Sequence, residues 1–318
     1  MAKYNYLNRM KKDCRQELPA LSPQAYIRKR GAMNDMFTRV LLAMDLTPKS
    51  EILLPCLYSL CPDTNTEIIL AYVFDEEEDA DPYSSSYKKV YSKLQGYANE
   101  LMRNGYEAVS IEMPWGEVFE EITRVGDDKE VDLTLVASHG KGFFRSALLG
   151  STTFDLARSS KRPLFVAITD GDSDNIADDD MLRKLMIPTD FSKKSLVALN
   201  LIRSLREHVA EVVFVHVVER SRNQSDLESK LLNAESRMEE LVAEMKLFGI
   251  KASYLVDKGA ASKKICRWAE EENVSMIAMT KTGAGLVKGL VMGATAQNVT
   301  LNSERSLLLL PADEVSND

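Results

Sequence analysis

Short apolar runs alternate along this chain with longer amphipathic stretches, at the spacing of repeated strand–helix units. Val40-Leu-Leu-Ala-Met44 is apolar at every position and stops at Asp45, which predicts a strand buried on both faces. Glu67 to Val73 predicts a second strand, followed by the acidic loop Asp75 to Asp81 and a helix over about Ser85 to Asn104. A strand near Ala108 to Met113, a helix over about Glu117 to Val125, the strand Leu133 to Ala137, a helix from Ser151 and the strand Leu164 to Ile168 follow. The order then returns, with strands at Leu185 to Thr189, Val212 to Val218, Lys251 to Val256, Met276 to Met279 and Leu307 to Leu310. Helices are expected between them over about Ser195 to Leu205, Ser225 to Leu247 and Ala261 to Glu271. Such alternation implies right-handed crossovers and a parallel sheet covered on both faces. The expected fold class is α/β, with two tandem five-stranded parallel-sheet domains of Rossmann-like form.

One stretch resists this reading. Thr47-Pro48 has the form of an N-cap and first-turn proline, yet Pro55 would fall two turns later, where it removes a backbone bond and clashes with the preceding turn. The helix must kink there or start late.

The two halves also share words. Asp45-Leu-Thr-Pro-Lys-Ser50 returns as Asp190-Phe-Ser-Lys-Lys-Ser195, and Gly140-x9-Gly150 returns as Gly283-x9-Gly293. These offsets match one globular domain rather than a solenoid unit. The expected organisation is an N-terminal extension over 1–35, a first domain over 36–169, an acidic linker over 170–180 and a second domain over 181–318. Asp170-x-Asp172-x-Asp174 has the start of a calcium loop, but Asn175 stands where that loop needs glycine and Met181 where it needs glutamate, so the segment reads as a solvated linker. The extension is locally basic at Lys11-Lys12 and Arg28-Lys29-Arg30, which suits either a surface-docked leader or a partner-binding arm.

Composition narrows the function classes. A net charge of −8 argues against a broad nucleic-acid surface, while leaving room for a local pocket for one anionic small molecule. The four cysteines, Cys14, Cys56, Cys61 and Cys266, have neither CxxC spacing nor disulfide-scaffold density, so they read as reduced thiols of a cytoplasmic protein. No signal-peptide core opens the chain and no run of about 18 apolar residues occurs, so no membrane association is expected. No GxxxxGK[ST] phosphate loop is present, and Gly283-x-Gly285-x3-Gly289 does not fit the dinucleotide fingerprint.

In an open parallel sheet, ligands lie beyond the carboxyl ends of the strands where the strand order reverses. Asp45 and Asp190 each end a first strand, and Gly140 and Gly283 each follow a fourth. A strand-end carboxylate accepts hydrogen bonds from an adenine amine or a ribose hydroxyl. Gly140 lets the backbone approach a phosphate closely, and Gly150-Ser151-Thr152 opens a helix whose free N–H groups favour an anion. His139 either bonds the loop backbone or touches phosphate. Lys141, Arg145, Lys281 and Lys288 either neutralise phosphate or, as the expected reading of each alone, are solvated surface charges, and His208 and His216 sit in separate elements with no metal site between them.

Pro188-Thr-Asp190-Phe-Ser192, Ser138-His139-Gly140-Lys141 and Gly150-Ser151 resemble the universal stress protein family, and the resemblance runs over both copies from about Met36 to Pro311. It implies binding of ATP or another adenine nucleotide, with Mg accompanying the nucleotide. The adenine and ribose would be held by the strand-one aspartate and a residue ending strand two, and the phosphates by the glycine loop. Carried over, the first copy offers Asp45, Val73, Gly140, Gly150 and Ser151, and the second offers Asp190, Val217, Gly283 and Gly293. The family's first loop glycine is replaced by Ala137 and by Thr280, and its final Ser/Thr by Ala294, which leaves Thr295 one position late. The first copy thus keeps more of the pattern and is expected to bind more tightly. The implied role is a stress-response sensor or interaction module with an unidentified protein partner and no catalytic residues. The alternatives are a scaffold with degenerate pockets, or slow ATP hydrolysis or self-phosphorylation on Ser151 or Thr152. The resemblance also implies an internal pseudo-dimer through the last strand of each copy, and leaves a further homodimer open.

Overall fold

A computed structural model describes residues 37–138, 149–168, 180–283 and 292–311. In the first half, β1 (Arg39–Ala43), α1 (Pro48–Glu51), α2 (Leu53–Leu60), β2 (Glu67–Ala71), α3 (Ser85–Arg103), β3 (Val109–Glu112), α4 (Val118–Asp128), β4 (Leu133–Ala137), α5 (Ser151–Ser159) and β5 (Leu164–Ala167) follow one another. The second half contains β6 (Lys184–Pro188), α6 (Leu196–Ser204), β7 (Glu211–Val218), α7 (Gln224–Leu247), β8 (Lys251–Lys258), α8 (Ala261–Glu271), β9 (Met276–Thr280), α9 (Ala294–Asn302) and β10 (Ser306–Leu310).

The ten strands form one sheet in the order β3-β2-β1-β4-β5-β10-β9-β6-β7-β8. All neighbours within each half run parallel, and the halves join where β5 and β10 pair antiparallel, with Phe165 opposite Leu308. Phe165, Val166, Leu307, Leu308 and Leu309 are fully buried at this seam. Each last strand alone would expose an apolar edge, and their pairing covers both. The two five-stranded sheets expected from sequence are thus joined edge to edge into one, through the last strand of each copy as expected.

Two apolar layers sandwich it. On one face, Leu42, Leu70, Leu185 and Phe214 pack under α2, α3, α6 and α7. On the other, Leu41, Ile69, Val213 and Ile277 pack under α4, α5, α8 and α9. The fully apolar strands thus serve both layers, as their sequence demands.

Local chemistry is repeated as well. Ser84 caps α3 by accepting from the Tyr87 amide at 2.9 Å, and Asn223 caps α7 by accepting from the Asp226 amide at 2.8 Å. Just beyond their C-caps, Gly105 (φ 101°) and Gly249 (φ 74°) turn the chain in the left-handed region.

The conflict at Pro55 is resolved by a break at Ile52. Pro48 starts α1, and α2 begins afresh at Leu53, so Pro55 falls in a first turn, where its missing N–H costs no helical bond. The helix α9 has no counterpart among the elements predicted for the second copy, although it matches α5 in position.

Candidate functional site

The strand order reverses between β1 and β4 in one half and between β6 and β9 in the other, and the predicted aspartates stand at these two crevices. In each, the residue after the aspartate is a non-glycine in the left-handed region: Leu46 has φ 62° and Phe191 has φ 61°. A branched or aromatic side chain there is strained, by roughly 1 kcal/mol or more, and the surroundings must hold it. Asp45 Oδ1 accepts from the Thr47 amide at 2.9 Å and hydroxyl at 2.7 Å, and Asp190 Oδ1 accepts from the Ser192 amide at 2.9 Å. Ser50 donates its hydroxyl to the Thr47 carbonyl, and Ser195 donates to the Ser192 carbonyl.

A basic side chain completes each turn. Lys93 on α3 donates to the Leu46 carbonyl at 2.7 Å, and Arg237 at the matching place on α7 donates to the Phe191 carbonyl at 3.3 Å. The Arg237 guanidinium also lies 4.1 Å from the centre of the Phe191 ring, whose other neighbour is the His216 ring at 4.6 Å. Reading the sequence alone overlooked this clamp. Counting back from the glycines that end α3 and α7 would have aligned Lys93 with Arg237.

Asp45 Oδ2 is buried and has no hydrogen-bond partner among the described residues, which do not include Gly140, the counterpart of Gly283. In the second copy Gly283 closes directly on the carboxylate, so that a Cβ at Gly283 would collide with Asp190 Oδ2. The close approach expected of this glycine is therefore made to a side chain of the protein itself.

The glycine loops are pinched at their base in both halves. The Gly150 amide donates to the Ser138 carbonyl and the Gly293 amide to the Lys281 carbonyl, each at 2.8 Å. Beyond the pinch, Gly150 and Gly293 are the N-caps of α5 and α9, and neither helix start is capped by a side chain. Free first-turn amides, with Ser151 and Thr152 beside them in the first copy, suit an anion. Thr295 is half-buried in the first turn of α9.

Val73 lies two residues past β2 and Val217 within β7, both half-buried at the carboxyl ends. Ala137 ends β4, and its carbonyl accepts from Thr153 Oγ1 at 2.9 Å. Thr280 ends β9 buried, with its hydroxyl donated to the Thr282 carbonyl at 3.0 Å. His139, Gly140, Lys141, Arg145 and Lys288 lie outside the described residues.

Lys281 corrects the expectation of a solvated charge. It is 2% exposed, and its ammonium crosses the seam to donate to the Ser160 carbonyl at 2.6 Å, at the C-cap of α5. Burial pushes its pKa down to about 8. The partial negative charge at a helix C-terminus makes that carbonyl a suitable partner for a cation. Among the described residues, no group of three or more His, Cys, Asp or Glu side chains is placed to hold a metal ion, and no helix is long and apolar enough to cross a membrane.

The model of the Universal stress protein family matches this chain twice, over residues 36–167 and 181–311. A universal stress protein of Methanocaldococcus jannaschii is 27% identical over 154 residues, which is 41% of this chain and 95% of that protein. The crystal structure of a universal stress protein from Archaeoglobus fulgidus superposes with a TM-score of 0.64 at 23% identity, covering 86% of this chain and 98% of the other. A crystal structure from Pseudomonas aeruginosa, assigned there as a putative universal stress protein, gives 0.63 at 17% identity over 88% of this chain and 96% of its own. These two structures share the fold over both halves.

Proposed function

The chain belongs to the universal stress protein family, and from that premise we propose that it binds ATP or another adenine nucleotide at the strand-end cradle of its first copy and acts as a sensor or interaction module. Asp45 Oδ2, buried and without a hydrogen-bond partner among the described residues, carries this reading. A carboxylate oxygen only accepts, and leaving it buried without a donor costs roughly 1–3 kcal/mol or more. Ribose hydroxyls and the adenine amine are donors that would satisfy it. From there a nucleotide extends its phosphates toward Gly150, Ser151 and Thr152 at the uncapped start of α5, with Mg arriving on the phosphates rather than through a protein site. Val73 stands beside the base. No residue is assigned a catalytic role.

The closure of Gly283 on Asp190 favours a different role for the second copy, a cradle filled by its own chain that serves as scaffold. Calorimetric titration of the full chain with ATP tests both statements. Asp45→Asn puts a donor where an acceptor is needed and should weaken binding tenfold or more, from a loss of about 1.5–3 kcal/mol, while Asp190→Asn should change it little. Absence of adenine-nucleotide binding at millimolar ATP would overturn the function, and a larger effect at Asp190 would overturn the ranking of the copies.

A further inference from the structure

The copies differ most under α3 and α7. Strand registers and helix C-caps place Tyr72 at the position of His216, Phe74 at Val218, Tyr87 at Leu231 and Val90 at Ala234. In the first copy these positions are filled: Tyr72 meets Phe74 edge-on at 5.0 Å, and Phe74, Tyr87 and Tyr91 stack in succession at 6.2 Å. The smaller residues of the second copy leave a cleft of ≈ 450 Å³ between β7 and α7, a size suited to a small molecule.

We propose that this cleft binds a small flat aromatic anion, of the size of one or two fused rings bearing a carboxylate. Its apolar wall consists of Val218, Ala234 and the edge of Phe191. Phe191 is fixed between His216 and Arg237, so the wall is already formed before a ligand enters. His216 Nδ1 lies 2.8 Å from the Thr189 carbonyl oxygen, which only accepts, so Nδ1 carries the proton and Nε2 of the neutral ring is an acceptor.

The charge inventory sets the sign. Lys230 already holds the Arg220 carbonyl and Asp226, and Glu219 accepts from the Ala261 amide at the start of α8. Arg220 is exposed at the rim, and its guanidinium makes no hydrogen bond or ion pair among the described residues. The lining thus sets two basic side chains, Arg220 and Lys230, against one acid, Glu219, and Arg220 is the basic one without a partner among the described residues. Val217 borders both this cleft and the strand end of the nucleotide reading, but the site goes beyond that reading: α7 covers it, whereas α9, which follows the glycine loop, packs on the opposite face.

Full-length protein saturated with ATP is titrated with 1-naphthoate and, in parallel, with neutral 1-naphthalenemethanol. One equivalent of naphthoate should bind, and more tightly than the alcohol. Val218→Phe with Ala234→Val installs the first copy's residues in the same backbone and should abolish binding with the denaturation midpoint retained. Arg220→Gln should weaken naphthoate about tenfold and remove its advantage over the alcohol. Undiminished binding by the filled variant, equal affinity for acid and alcohol in the unaltered chain, or displacement of naphthoate by ATP would each overturn the proposal.

Discussion

The two halves hold their strand-end aspartates alike and differ in how the space under their long helices is filled. Each has the same carboxylate-braced turn, the same left-handed residue and a basic clamp from the long helix. In the first, Asp45 Oδ2 is buried with no hydrogen-bond partner among the described residues, and aromatic rings fill the space under α3. The second closes a glycine onto its aspartate and opens the space under α7 instead. Duplication therefore preserves the frame of the turn, while the space under the long helix is filled in one copy and open in the other. Changes that exchange residues between matching positions test this reading most directly.

The largest expected effect is at the seam. Lys281 stands where the first copy has Ser138, and its ammonium reaches across to the other half. Its pKa in the folded protein, about 8, lies below the ordinary lysine value, so the unfolded chain binds the extra proton between about pH 8 and 10.5. Stability must then rise with pH across that window, relative to a chain without the group, and be flat in this respect below it. Denaturant midpoints of the unaltered protein and Lys281→Met, compared at pH 7, 9 and 10.5, should show the difference shifting toward the unaltered protein by on the order of 2–3 kcal/mol. A constant difference would mean that the ammonium is solvated in solution.

This group also marks the limit of what could be read from residues alone. The strands were legible because runs such as Val40 to Met44 have no polar face, and the tandem organisation because two motifs recur at nearly equal offsets. The helix α9 was missed because Thr295, Gln297, Asn298, Thr300 and Asn302 leave it almost no apolar stripe. It is held by Ala296 and Val299, buried with Thr300 by tertiary packing. Lys281 was misread for a related reason, since its burial is created by the pairing of β5 with β10. The aspartates were found by their spacing, but the burial of Asp45 Oδ2 and the approach of Gly283 to Asp190 arise only in the folded chain.

A smaller effect is expected at Gly283. Gly283→Ala forces the Asp190 carboxylate aside and with it the turn to Ser192, which should cost about 1–2 kcal/mol of stability. ATP affinity at the first copy should be unchanged, because that cradle is built from different residues. A melt and a titration on the same protein separate the two effects, and loss of ATP binding would show that the working cradle is the second one.

The smallest effect compares the two clamps. Lys93→Met removes one charged hydrogen bond to the Leu46 carbonyl, together with a half-exposed ion pair to Glu51 at 3.0 Å that contributes little. Arg237→Met removes a longer bond to the Phe191 carbonyl and the stacking over its ring. Each should lower stability by about 0.5–1.5 kcal/mol. Their effects on ATP should nonetheless diverge. Freed from Lys93, Leu46 can relax out of its left-handed conformation and carry Asp45 with it, so the first cradle loses preorganisation and affinity falls several-fold. Arg237→Met loosens a turn whose aspartate already faces Gly283, and ATP affinity should stay the same. Equal losses of ATP affinity in the two variants would show that both cradles contribute to binding, and the contrast between the copies would then be confined to the space beneath their long helices.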